Sequence, residues 1–265
     1  MYGRSAGRPG RPGSTSALTY IKAAPDLAPQ GGASQLLEVT MYISMERALR
    51  VSAWLACAAV VGMISIFFVT GVGQDPLQFV HPVEEYTRIL LKNPAALRAC
   101  LGLDNGFIVL YSTVYVTLGC ILLRLGANRA LTLVATGILL LLGLLDMIEN
   151  FHFMVMLAGA EQGILPTAGE ISFQVWESLL KFHVSYLGLF LLGLALPRRS
   201  ARERLLSNLS LFVQAPVGIL IYVAPAAVAF PLVFVRFLYF LAALALVSGV
   251  KGPPPLVTEP RVAAG

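Results

Sequence analysis

From Val51 to Gln74 the chain carries no charged residue. At 1.5 Å of rise per residue, a helix of that length exceeds the roughly 20 residues needed to cross the hydrocarbon core of a bilayer. This block predicts a first membrane span. The rival reading, a cleaved signal peptide, has an apolar region of only about 7 to 15 residues, too short to account for it. Gly106 to Leu123 predicts a second span, Ala130 to about Met156 a third, and about Gln174 to Leu196 a fourth, the last two interrupted by charge.

Leu205 to Val235 is again free of charge, but it is too long for one ordinary span and contains Pro216, Pro225 and Pro231. Splitting it at Pro225 to Pro231 gives a fifth span from about Leu205 to Ala224 and a sixth from Pro231 to Val250. Arg236 then lies close enough to the outer surface to snorkel. The predicted fold class is all-α, a polytopic transmembrane helical bundle of six spans.

Around this bundle, residues 1–44 form a Gly-, Pro- and Arg-rich tail, 45–250 a single transmembrane domain, and 251–265 a C-terminal tail. Neither tail has enough apolar area to offset the entropy of ordering. Met41 and Met45 precede Glu46, Arg47, Arg50 and the first apolar run, as at many membrane-protein N-termini. Sequencing the native N-terminus distinguishes a start there from a disordered tail. The extracytoplasmic loop, 75–104, is divided by Pro82, Pro94 and Gly102 and predicts two small interfacial helices. In the first, Tyr86, Ile89 and Leu90 share a face and Glu84 precedes Arg88 by four; in the second, Asn93 caps and Pro94 takes the first helical position.

Orientation follows from the basic residues. Arg47, Arg50, Arg124, Arg129, Arg198, Arg199, Arg202, Arg204 and Lys251 all fall on one side of the six-span arrangement. That side is expected to be the cytoplasm, with both termini inside a multi-pass inner (plasma) membrane protein. Opposite lie Glu161 and Glu170, with no Lys or Arg beside them in sequence.

Composition agrees with this picture. Of 265 residues, 57% are hydrophobic and 12% charged, and the mean hydropathy is +0.77, so lipid is the expected solvent. The net charge of +5 is spread over short clusters beside the apolar blocks, which argues against a nucleic-acid partner. Cys57, Cys100 and Cys120 have neither C-x-x-C nor metal-type spacing, so no disulfide framework and no metal site is predicted.

The candidate chemistry lies in the third and fourth spans. Asp146, Glu149 and Asn150 form one helical stripe, and Glu177, Lys181 and Ser185 form another. A central Asp or Lys costs about 2.5 to 3.5 kcal/mol on insertion scales, so these groups must meet partners. Because the two spans run in opposite directions, Glu149 and Lys181 both lie roughly 10 Å below the outer boundary. The second span, entering at Asp104 and Asn105, brings Tyr111 and Tyr115 to comparable depths. Lys181 is expected to pair with Glu149 or Asp146, with Asn150 and the tyrosines supplying neutral hydrogen bonds. One carboxylate then remains in excess, which is what a proton relay or cation site requires.

His152 and His183, on neighbouring spans, raise the question of haem. Their depths, roughly 6 Å and 14 Å below the outer boundary, are unsuited to two axial ligands, and no cofactor is predicted. Ser112, Ser178 and Ser185 lie in no G-x-S-x-G, and there is no H-E-x-x-H. Gly137 and Gly143, with Gly188 and Gly193, permit close helix approach.

Three functional readings fit the sequence. The first is an outward-facing polar site in a transporter or sensor of a small solute, cation or proton. The second is a structural or assembly subunit whose polar residues are interhelical ion pairs. The third is a membrane enzyme in which Asp146 or Glu149 acts as base on a lipid headgroup and Lys181 binds its phosphate. The bilayer is the expected partner in all three. A small-molecule or lipid ligand, a second copy of the chain and another membrane protein remain open as partners.

Overall fold

A computed structural model describes residues 32–223 and 226–252, and among them every regular element is helical. The expectations for residues 1–31 and 253–265 lie outside the described residues. The first apolar block lies in α1, Gly32–Thr70. It ends at Gly71, whose φ of 65° is left-handed and whose N–H bonds back to Phe67 O at 2.8 Å.

The connection that follows contains a 3₁₀ turn, Asp75–Gln78, and a short amphipathic helix, α2, Val83–Leu90. Tyr86, fully buried, donates its hydroxyl to Leu77 O at 3.3 Å and ties helix to turn. The next helix, α3, Pro94–Arg124, starts as expected: Asn93 Oδ1 accepts from Ala96 N at 3.0 Å, with Pro94 at its first position. However, there is no separate second interfacial helix. The segment from Pro94 continues unbroken into the second span, past Gly102, because Leu97, Leu101, Asp104, Ile108 and Tyr111 form one buried stripe at alternating spacings of four and three. A lone glycine weakens a helix by only about 1 kcal/mol, too little to break it against that packing.

Helix α4, Arg129–Glu161, follows a tight turn through Gly126 (φ 75°) and is capped by Asn128. Capping boxes open the next two helices: Thr167 with Glu170 for α5, Ala168–Ala195, and Ser200 with Glu203 for α6, Ala201–Phe212. Helices α7, Gln214–Val223, and α8, Ala226–Val247, complete the order.

The C-terminal region folds α8 back against α6 and α7, as the expected hairpin does, but its breaks fall elsewhere. A break falls at Val213, inside the fifth span read as one helix and three residues before Pro216, whose ring excludes the carbonyl of Phe212 from the helical pattern. The stretch Pro225 to Pro231, expected as a loop, is helical from Ala226, with Pro231 inside α8. Membrane helices tolerate such prolines where neighbouring groups re-satisfy the freed backbone.

Among the described residues, five segments are long and apolar enough to cross a membrane: Ile43–Thr70, Pro94–Arg124, Arg129–Glu161, Ala168–Ala195 and Ala201–Val223; Pro231–Val247 is a shorter apolar helix. Their outward faces carry Trp54, Phe68, Val109, Phe151 and Trp176, whereas Asp104, Glu149, Asn150, Gln174 and Lys181 are buried. An apolar exterior around a polar interior is the arrangement that lipid selects. The chain is a multi-pass integral membrane protein.

Packing closes a ring. Helix α4 lies against α3 and α5, α5 against α6 and α7, and α6 against α8. Helix α1 completes it, meeting α3 where Leu103 approaches Gly62 and α8 where the rings of Phe67 and Phe234 lie 6.2 Å apart. At one end of the bundle, Arg199 donates to Leu125 O (2.8 Å), Arg202 to Gly249 O (2.9 Å), and Gly252 N to Glu46 (3.0 Å). The two arginine bonds satisfy carbonyls just past helix C-termini.

Gly143, Gly188 and Gly193 sit at close helix contacts, but Gly137 faces open space and has no packing role. The tightest contact of α7 is at Gly218, where an added Cβ would lie 2.0 Å from Tyr186 Cζ. Gly218→Ala is therefore expected to lower stability by about 1 to 3 kcal/mol through overpacking, read from thermal unfolding in detergent. Gly137→Ala, by contrast, should leave stability unchanged or raised.

Candidate functional site

Three helices place the polar interior. On α4, Asp146, Glu149, Asn150 and Phe153 repeat at intervals of three and four and face inward. On α5, Gln174, Ser178, Lys181 and Ser185 do the same, and α3 contributes Asp104 and Tyr111. Each of these polar residues comes from an apolar helix whose inward face it marks.

Lys181 is 3% exposed and Glu149 fully buried. The Lys181 ammonium reaches both acids at once, donating to Asp146 Oδ1 at 2.7 Å and to Glu149 Oε2. The remaining oxygens are also served: Tyr111 OH donates to Asp146 Oδ2 at 2.9 Å, and Ser178 Oγ donates to Glu149 Oε1. Asn150 Nδ2 donates to Asp104 Oδ2 at 2.7 Å and to Asn105 Oδ1 at 3.0 Å. Asp104, 3% exposed, thus has a neutral amide for its partner and not a cation.

Of the residues singled out in the sequence, the structure joins Tyr111, Asp146, Glu149 and Lys181 in one network and Asp104, Asn105 and Asn150 in a second, with Asp104, Tyr111, Asp146 and Lys181 bordering the same cavity. Tyr115 lines the same cavity, its ring 5.5 Å from that of Tyr111. Glu177 joins neither network. It lies about 100° around α5 from Ser178 and meets His152 Nδ1 at 2.6 Å on the flank of the bundle. His183 is exposed and caps back to Leu179 O at 2.7 Å.

Two features went unread in the sequence. Ser178, considered there only as a hydrolase nucleophile, is instead the hydroxyl that holds Glu149. Arg236, expected to snorkel, is 3% exposed and bonds Asp75 Oδ1 at 2.5 Å, with its guanidinium 4.4 Å from the centre of the Phe182 ring. Lys181 Nζ lies 4.7 Å from the same ring. A signal for this pair existed, since Arg236 is the one charged residue between Leu205 and Val250 and a buried guanidinium requires an acid.

A cavity of about 100 Å³ lies among these groups, bordered by Asp75, Asp104, Asp146, Lys181, Ser185 and Arg236. A water needs about 10 to 15 Å³ of such volume, so several waters fit, with the charged groups set in a lining that is otherwise mostly apolar. With Glu149 counted beside it, four acids surround two bases. No family model, curated protein or solved structure matches the chain. Among the described residues, no three His, Cys, Asp or Glu side chains are arranged to hold a metal ion. The position between Asp146 and Glu149 is filled by the Lys181 ammonium.

Proposed function

We propose that this protein takes up and releases a proton, as part of a transporter or sensor, at the cluster of Asp104, Asp146, Glu149 and Lys181. The observation that carries the reading is the imbalance: two buried acids share one ammonium, and a third, Asp104, has no cation and borders a cavity that admits water. An uncompensated carboxylate in low dielectric calls for a positive charge, and a proton is the one that the crowded geometry accepts. A dry contact with each acid matched by a base would instead favour an interhelical clasp. On the positive-inside rule the cluster opens toward the outer face of a plasma membrane, with both termini in the cytoplasm.

The test is pH-jump infrared difference spectroscopy on protein in lipid nanodiscs. A reversibly titrating carboxylic-acid C=O band is expected, and Asp104→Asn should remove it or move it. Spectra without such a band, or a band indifferent to both Asp104→Asn and Asp146→Asn, rule the reading out.

A further inference from the structure

A second, larger chamber of about 400 Å³ adjoins the first, and Met63, Gln74, Asp75 and Phe237 line both. Its volume is that of a small-molecule site. Phe67, Phe79, Tyr222, Phe234 and Phe237 form its aromatic walls. Its polar groups gather at one edge: Gln74 and Asp75 before and within the 3₁₀ turn, and His81, whose Nε2 lies 2.9 Å from Pro76 O. Gln74 Oε1 and the Tyr222 hydroxyl are both buried without a hydrogen-bond partner, and both belong to this chamber. The wall therefore offers π-faces, one carboxylate and unfilled acceptors, with no Lys or Arg on it.

We propose that this chamber binds an organic ammonium ion with an apolar or aromatic body, its nitrogen seated at Asp75 in competition with Arg236. Aromatic faces attract a cation more strongly as water is excluded, and Gln74 Oε1 and Tyr222 accept the N–H groups that a primary or secondary ammonium presents. An anion finds no counter-charge on this wall, and a neutral body of equal size leaves the acceptors unfilled. Arg236 enters from the neighbouring chamber, with one guanidinium nitrogen on Asp75 and its Nη1 unpartnered, its plane set against Phe182. It is a tethered cation in the position that the ligand's nitrogen would take. The site stands on Asp75 and the aromatic walls, and it does not depend on proton binding at Asp104 and Asp146.

The experiment is isothermal titration of the full chain in lipid nanodiscs, with empty nanodiscs subtracted. The probes are 2-phenylethylammonium, 2-phenylethanol and phenylacetate, which share a body and differ in charge. The ammonium should bind at least about tenfold tighter than the other two, which corresponds to 1.4 kcal/mol. Asp75→Asn should erase that preference, and Arg236→Gln, by removing the internal competitor, should tighten ammonium binding. Asp146→Asn should leave it in place even if the titrating carboxyl band is lost. Equal binding of the three probes to the unaltered protein overturns the proposal and needs no variant to be folded. So does ammonium binding that survives Asp75→Asn, or that disappears with Asp146→Asn and so belongs to the inner cavity.

Discussion

Lys181→Met is expected to destabilise the bundle by about 3 to 5 kcal/mol, the usual cost of removing one partner from a buried ion pair and leaving the other uncompensated. Here the consequence is doubled in kind, because a single ammonium serves both Asp146 and Glu149, neither of which has another cation within bonding reach among the described residues. Tyr111 and Ser178 remain as donors to the two acids, but a neutral hydroxyl does not match the charge. Met fills a volume close to that of the Lys stem, so the loss is electrostatic and not a packing defect. Thermal unfolding in detergent reads it as a fall of many degrees, with poor recovery of folded protein. Glu177→Gln is the control: it touches the flanking pair with His152, whose partners retain some solvent access, and should cost far less. Equal melting of Lys181→Met and the unaltered protein would show that the ammonium neutralises nothing.

The parts of this architecture that were legible in the sequence are those governed by one-dimensional rules. Apolar length without charge located α1 and the helices built around the second, third and fourth apolar blocks, because in lipid an uncharged run of that length has few alternatives to a helix. Helical phase brought Asp146, Glu149 and Asn150 onto one face, and the opposite directions of α4 and α5 brought Lys181 level with them. What phase could not settle was multiplicity. It allowed Lys181 one acid or the other, and the side chain reaches both, so one negative charge stays unmatched on that pair and Asp104 on α3 adds a second.

Other features depended on tertiary partners. The start of α3 was obscured by Gly102, a local breaker overruled by the buried stripe from Leu97 to Tyr111. Glu177 satisfied the spacing for the Lys181 stripe, yet His152 on the neighbouring helix drew it to the flank. The pairing of Arg98 with Glu161, at 2.7 and 2.5 Å, joins residues far apart in sequence and gives the acid at the end of α4 a base that its own loop lacks. Arg236 and Asp75 are the clearest case. Each was assigned separately, one to snorkelling and one to a loop, and only the closing of the ring by α8 and the 3₁₀ turn sets them together.

A variant in which the whole cluster is made neutral, Asp104→Asn, Asp146→Asn, Glu149→Gln and Lys181→Met together, is expected to melt within about 1 kcal/mol of the unaltered protein or above it, although it contains the substitution that is so costly alone. The reason is that desolvating charges in a low-dielectric interior consumes most of what their attraction returns, so neutral replacements of similar shape are often equal in stability or better by about 1 to 4 kcal/mol. The three amide replacements also keep an acceptor oxygen for Tyr111, Ser178 and Asn150, which limits the number of orphaned polar groups. The substitutions should be strongly non-additive, since Asp146, Glu149 and Lys181 share one network and Asp104 borders the same cavity. The titrating carboxyl band should vanish in the same variant. Stability retained with proton binding lost means that the charges are kept for what they bind. A quadruple variant several kcal/mol less stable than the unaltered protein means that they are an interhelical clasp, and the reading of this site as a proton site would then lose its physical basis.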